Sequence, residues 1–228
     1  MAGVYRLIAS ITLAFLFLIS SAAHAAPAPE NRRTAAGTIV CVGDSLTAGL
    51  GVGESNAYPA RLSRKLAEAG YHFNVVNAGI SGETSSGTLS RVNWVLKLKP
   101  DIVLLETGAN DGMRGIDPAV TRRNIDKTIR ILKKNKVVVV LVGMRMFVSM
   151  GREFSASFAA LYPDLAGKHG LILVPFLLQG VAGDPSLNQP DGIHPTAEGY
   201  RIVANTVYPY ARSAIDRFRQ HNKDIDSR

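Results

Sequence analysis

The chain has 228 residues, with 26 lysine and arginine residues against 18 acidic ones and a formal net charge of +8. This length is enough for one well-buried domain. The only cysteine is Cys41, which excludes an internal disulfide. Beyond the first 25 residues, no stretch is long and apolar enough to be read as a membrane span.

The first 25 residues have the pattern of a secretory signal. Arg6 is the only charged residue before Glu30, an apolar run covers Leu7–Ile19, and Ala23 and Ala25 have the spacing that a signal peptidase requires. We predict cleavage after Ala25 and export to the periplasm or the medium. An uncleaved membrane anchor is the alternative, and the shortness of the run disfavours it. Residues 26–36 are predicted to form a flexible lead-in.

Short apolar runs alternate with helix-length periodic segments over residues 37–220, and the polar residues 221–228 are predicted to form a C-terminal tail. The runs predict five strands, at Thr38–Val42, Phe73–Val76, Ile102–Leu105, Val137–Val142 and Leu171–Val174. Between and after them, helices are predicted at Tyr58–Ala69, Ser90–Leu98, Pro118–Lys134, Phe154–Lys168 and Thr196–Phe218. This alternation indicates a single α/β domain, a three-layer α/β/α sandwich around a five-stranded parallel sheet.

The basic residues are scattered, apart from one cluster between Arg122 and Lys136. Within the cluster Ile125, Ile129 and Leu132 recur at helical spacing, so the cations form the solvated side of an amphipathic helix. We therefore predict no nucleic-acid partner. Weak contact with an anionic membrane surface is the alternative interpretation of the charge. No pattern in the sequence indicates an oligomeric state.

Four polar, glycine-containing loops follow predicted strands. In open parallel sheets, ligands bind beyond the carboxyl ends of the strands, so residues after the strands are the first candidates for chemistry. The loops are Gly43–Gly49, Asn77–Thr84, Thr107–Gly112 and Asp191–Thr196.

Ser45 and His194 have the chemistry of a nucleophile and its base. A serine hydroxyl is a weak nucleophile at neutral pH and needs a neighbouring base, a role that imidazole suits. Asp191 stands three residues before His194 in the same loop, where it can orient the ring and stabilise its charge. Thr196 is predicted to cap the closing helix and so hold this loop in place.

A tetrahedral intermediate also requires hydrogen-bond donors for its oxyanion. The candidates are the amides of Ser45 and Gly79 and the carboxamide of Asn110. Taken singly, Gly79 and Asn110 are also common turn residues. Their position after strands on the same edge as Ser45 favours the catalytic interpretation.

These blocks resemble those of the SGNH (GDSL) hydrolases in order and spacing: Gly43-Asp44-Ser45-Leu46, Gly79, Gly108-x-Asn110-Asp111 and Asp191-x-x-His194. The chain is most similar to the exported bacterial arylesterases, thioesterases and lysophospholipases of that family. The resemblance implies a flavodoxin-like fold and an acyl-enzyme mechanism without metal or cofactor. It also implies Ser45 as nucleophile, His194 as base, Asp191 as its partner, and Ser45, Gly79 and Asn110 as the oxyanion hole.

Two segments depart from the pattern of that group. Glu83 stands where aspartate is common, and the segment Met144–Gly151 lacks the expected prolines and asparagine. In relatives that segment lines the acyl side of the site. Met146, Phe147 and Met150 are therefore candidates for an apolar substrate-binding wall, together with Ile193, although core packing explains them equally well.

The sequence thus predicts an exported serine esterase acting on small acyl or aryl esters, with thioesters and lysophospholipids as related substrates. A carbohydrate O-acetyl esterase would use the same three residues. A noncatalytic binding protein with the same fold is the third interpretation, and the presence of all the expected side chains disfavours it.

Overall fold

The computed structural model describes residues 35–226. The predicted signal peptide lies outside this range, as does the predicted lead-in apart from residues 35 and 36. Among the helices within the range, none is long and apolar enough to cross a membrane.

Five parallel strands form one sheet, as predicted. The strands are β1 (Thr38–Gly43), β2 (Asn74–Gly79), β3 (Ile102–Glu106), β4 (Val138–Val142) and β5 (Ile172–Val174). Their order across the sheet is β2-β1-β3-β4-β5, and every neighbouring pair is parallel. This is the flavodoxin-like order, in which the chain changes direction across the sheet between β1 and β3.

Helices in two groups pack around the sheet. They are α1 (Ser45–Ala48), α2 (Tyr58–Glu68), α3 (Ser85–Ser90), α4 (Val92–Lys97), α5 (Ala109–Met113), α6 (Pro118–Lys134), α7 (Arg152–His169) and α8 (Ala197–Asp226). Helix α2 packs on α8, whereas α6 packs on α3, α4 and α7. Together with the sheet, the two groups form the predicted three layers.

The core forms where apolar strands meet the apolar sides of these helices. All five residues of the central strand β3 are buried, and the first four, Ile102–Leu105, are apolar, as expected for a strand that is covered on both faces. On α6, Ile125, Ile129 and Leu132 are buried, so the helix is amphipathic as predicted. Cys41 is also fully buried, and burial raises the pKa of its thiol to about 12. Its thiol is therefore part of the core.

Elements β2, α3 and α8 differ from the sequence prediction by three residues or more. Strand β2 extends through Asn77 to Gly79, because backbone pairing with β1 at the sheet edge accepts polar residues that the apolar run does not include. The helix predicted at Ser90–Leu98 corresponds to α4, and a second short helix, α3, precedes it and meets it at Arg91. Helix α8 continues beyond Phe218 to Asp226, through most of the segment predicted as a tail.

Candidate active site

Ser45 is the first residue of α1, directly beyond the end of β1. Asp44 caps this short helix by accepting a hydrogen bond from the amide of Leu46 at 2.9 Å. Gly43 makes the turn feasible, since a β-carbon there would collide with the hydroxyl of Thr47 and the carboxyl of Glu106. Local sequence thus fixes where the serine hydroxyl lies relative to the strand.

Glu106, the last residue of β3, lies fully buried beneath this turn. Its Oε2 accepts hydrogen bonds from the Asp44 amide at 2.9 Å and the Thr47 hydroxyl at 3.0 Å. Its Oε1 is buried without a hydrogen-bond partner among the described residues. Burial, and then the charge of Asp44, raise the pKa of Glu106 well above its usual value. The folded environment of Glu106 therefore favours the protonated form of its carboxyl group.

The structure brings Ser45, His194 and Asp191 together in one hydrogen-bonded chain. His194 Nε2 lies 2.8 Å from Ser45 Oγ, and His194 Nδ1 lies 2.6 Å from Asp191 Oδ2. The amides of His194 and Ile193 donate to Asp191 Oδ1, and these bonds lower the pKa of Asp191 to about 2. An ionised carboxylate can only accept, so Nδ1 carries the ring proton and Nε2 is free to accept from the serine.

The loop that carries His194 is fixed at both ends. The amide of Gln189 donates to the His194 carbonyl at 2.7 Å, and the Gln189 side chain donates to the carbonyl of Leu50 at 2.7 Å. At the other end, Thr196 Oγ1 accepts from the amide of Gly199 at 3.2 Å, the predicted cap of α8. These bonds join the histidine loop to the segment that follows Ser45.

Asn110 lies on α5, just beyond the end of β3, and is buried. Its Nδ2 donates to Asp44 Oδ2 at 3.0 Å. A carboxamide nitrogen has two protons, so one remains to serve an oxyanion. Asp44 thereby orients Asn110 as well as capping the helix of Ser45.

Gly79 does not have the position that the sequence predicted. It is the last residue of β2, and its amide donates to Asn77 Oδ1 at 3.0 Å. A β-carbon at Gly79 would collide with the backbone of Ala48, so the glycine allows α1 to pack against β2. The strand is longer than its apolar run, so Gly79 ends the strand instead of lying in the loop beyond it.

Gly82, in the loop between β2 and α3, is a candidate oxyanion donor that the sequence reasoning missed. Its φ of 79° lies in the left-handed region, and its carbonyl accepts from Arg114 Nη2 at 2.9 Å. Its amide makes no hydrogen bond with any of the residues described. The signal was the second glycine of the loop, which turns the chain after the strand has ended.

An apolar cavity opens beside Ser45. Of the four candidates for the substrate-binding wall, Met146, Phe147 and Ile193 line this cavity, whereas Met150 does not. Met150 ends a 3-10 turn, Val148–Met150, which leads the chain on to α7. The sequence reasoning missed other apolar residues of the lining, from α1, α5 and the segments after β4 and β5: Leu46, Met113, Met144, Phe176 and Leu178.

Gly112 allows one wall of this cavity to form. A β-carbon there would collide with the Sδ atom of Met146, so the glycine lets the methionine lie against α5. The cavity thus depends on a close approach between α5 and the segment after β4, two segments that are distant in sequence.

Relative to wild type, Glu106→Gln should gain stability as pH rises from acid toward neutral. Between the ordinary value of 4.5 and the raised pKa of Glu106, the folded protein holds a proton that the unfolded chain releases. The free energy of unfolding therefore decreases as pH rises through this range. Glutamine keeps the accepting oxygen but does not titrate. In chemical denaturation from about pH 5 to about pH 8, the free energy of unfolding of the variant should rise relative to that of wild type. A wild-type advantage that grows toward high pH would mean that Glu106 is ionised in the fold.

Comparison with known proteins identifies the family of this chain. Residues 41–202 match the model of the GDSL-like lipase/acylhydrolase family. The chain is 37% identical to Esterase TesA of Pseudomonas aeruginosa, over 78% of this chain and 89% of that protein. It is 36% identical to Thioesterase 1/protease 1/lysophospholipase L1 of Escherichia coli K12, over 85% and 88% of the two chains.

A solved structure shares the fold as well as the sequence. The crystal structure of AlinE4, described as an SGNH-hydrolase family esterase, is 36% identical and superposes with a TM-score of 0.66, over 78% of this chain and 96% of that chain. The family match covers β1 to α8 and therefore includes every segment of the site. The chain belongs to the GDSL-like lipase/acylhydrolase family, the SGNH hydrolases.

Proposed function

We propose that this protein is a serine esterase that hydrolyses acyl or aryl esters through Ser45, His194 and Asp191. The observation that carries the proposal is the 2.8 Å contact between Ser45 Oγ and His194 Nε2, beside an apolar cavity. The names of the relatives, which include esterase and thioesterase, support the same class of reaction.

In this mechanism Ser45 Oγ attacks the ester carbonyl carbon while its proton passes to His194 Nε2. Asp191 stabilises the imidazolium that forms. The tetrahedral intermediate then collapses, the C–O bond to the alcohol breaks, and His194 returns the proton to the leaving oxygen. Water, with His194 as base, hydrolyses the acyl-enzyme to the acid and restores the Ser45 hydroxyl.

The developing oxyanion requires donors that are already in position. The amide of Ser45 and the second proton of Asn110 Nδ2 supply two of them. For the third, the structure favours the amide of Gly82 over that of Gly79, because the Gly79 amide already donates to Asn77. Both glycines lie within the loop segment in which the sequence predicted a donor.

Replacing Ser45 should abolish ester hydrolysis. With p-nitrophenyl butyrate as substrate, Ser45→Ala should lose turnover and covalent labelling by a fluorophosphonate probe, measured by intact-protein mass spectrometry. His194→Ala should lower kcat by about three orders of magnitude or more through loss of the base. Undiminished hydrolysis by Ser45→Ala would overturn the nucleophile assignment, and an unlabelled wild type would favour a noncatalytic binding protein.

The cavity lining predicts a preference for apolar acyl groups. For p-nitrophenyl esters longer than acetate, kcat/KM should rise by about threefold per methylene until the cavity is filled. Phe147→Ala should flatten this profile while leaving acetate turnover unchanged. Phe147 lines the cavity and has no role in the proposed mechanism at the ester carbonyl. Faster deacetylation of sugars than of medium-chain esters would indicate a carbohydrate O-acetyl esterase instead.

We also propose that the protein is exported and loses its first 25 residues. The support is the signal pattern of the sequence, with one positive charge, a short apolar run and small residues before the cleavage point. N-terminal sequencing of the protein from the host should then begin at Ala26. A first residue upstream of the apolar run would contradict cleavage.

A further inference from the structure

Arg91 and Glu83 form an ion pair that is largely buried, next to the candidate site. Arg91 Nε and Nη2 each lie 2.6 Å from a different oxygen of Glu83, in a bidentate arrangement. The two side chains are only 12% and 6% exposed. Such pairs are costly to desolvate and weak evidence of stability, so their presence invites a functional explanation.

The same guanidinium contacts the ends of two strands. Arg91 Nη2 also donates to the carbonyl of Ala78 at 2.8 Å and approaches that of Gly43 at 3.4 Å. Gly43 lies two residues before Ser45, and Ala78 is the penultimate residue of β2, which leads into the loop of Gly82. The ion pair therefore links the turn that carries the nucleophile to the loop that carries a proposed oxyanion donor.

Glu83 extends the connection to a third strand. Thr88 Oγ1 donates to Glu83 Oε2 at 3.0 Å, and lies 2.8 Å from Thr107 Oγ1. Since the Thr88 proton goes to the carboxylate, Thr107 donates to Thr88. Thr107 follows β3 and lies three residues before Asn110. One buried network thus reaches the ends of β1, β2 and β3, the three strands that lead to the proposed oxyanion donors.

We propose that the Arg91–Glu83 pair is a positioning device that holds these oxyanion donors in register. The inference rests on the proposed function. Arg91 and Glu83 do not contact the reacting atoms, and their effect reaches the transition state through the loops they hold. Oxyanion donors act only when correctly placed, so a small displacement lowers kcat while substrate binding in the apolar cavity changes little.

The decisive variant replaces both partners, Glu83→Leu with Arg91→Met. Removing one partner would leave a buried unpaired charge, whereas an apolar pair of similar size is compatible with folding. We expect kcat for p-nitrophenyl butyrate to fall by about 10- to 100-fold, with KM within about threefold of wild type. Affinity for phenylboronic acid, whose adduct with serine is a tetrahedral anion, should fall by a similar factor.

Three further measurements separate positioning from general damage. The midpoint of the pH profile of kcat/KM should not move, because the histidine and its aspartate are untouched. The control, Arg122→Met with Asp164→Leu, removes an exposed ion pair between α6 and α7 and should leave kcat unchanged. Arg91→Lys alone should also lower kcat, since an ammonium group lacks the bidentate geometry of the guanidinium.

Two outcomes would overturn the inference. One is a folded double variant with wild-type kcat, and the other is a fall in kcat with unchanged affinity for phenylboronic acid. If the double variant does not fold, Thr88→Val breaks the link from Glu83 to Thr107 without removing a charge. This variant should lower both kcat and the affinity for phenylboronic acid, with KM nearly unchanged. A wild type that neither turns over esters nor reacts with a fluorophosphonate would instead refute the proposed function itself.

Discussion

All five strands run in the same direction, so their carboxyl ends meet at one edge of the sheet. The chain leaves β1 for β2 on one side and later returns to β3 on the other, which opens a crevice between neighbouring strands at that edge. Ser45 follows β1 and Asn110 follows β3, on opposite sides of the crevice. The histidine loop, 149 positions from the serine, reaches the same edge from beyond β5.

Polar groups buried beneath this edge connect the strand ends to one another. Glu106 at the end of β3 accepts from the turn at the end of β1, and Asp44 in that turn accepts from Asn110. Such groups are costly to bury, and hydrogen bonding offsets much of that cost. Among the described residues, three buried atoms are exceptions without a hydrogen-bond partner: Glu106 Oε1, Arg91 Nη1 and Asn188 Oδ1. Their presence beside the site is consistent with a structure that sacrifices some stability to fix the geometry of its loops.

The sequence allowed the sheet and the triad to be predicted for different physical reasons. Apolar runs predicted the strands because a parallel sheet is covered on both faces. Ser45, Asp191 and His194 were recognisable because their chemistry is complementary and their loops share an edge. Gly79 was predicted to lie in the loop after β2, whereas it is the last residue of that strand. Backbone pairing, which apolar patterning does not report, extends β2 by three residues. The cavity wall was only partly predicted, because Met113 and Phe176 enter it from segments far from the Met144–Gly151 loop.

The central claim is that the sheet edge places the serine nucleophile and its oxyanion donors around one tetrahedral centre. A crystal structure of the protein after reaction with an alkyl phosphonate tests it most directly. We expect phosphorus bonded to Ser45 Oγ, with the anionic oxygen at about hydrogen-bond distance from the Ser45 amide and Asn110 Nδ2. A phosphonate bonded elsewhere, or an anionic oxygen directed away from both donors, would contradict it.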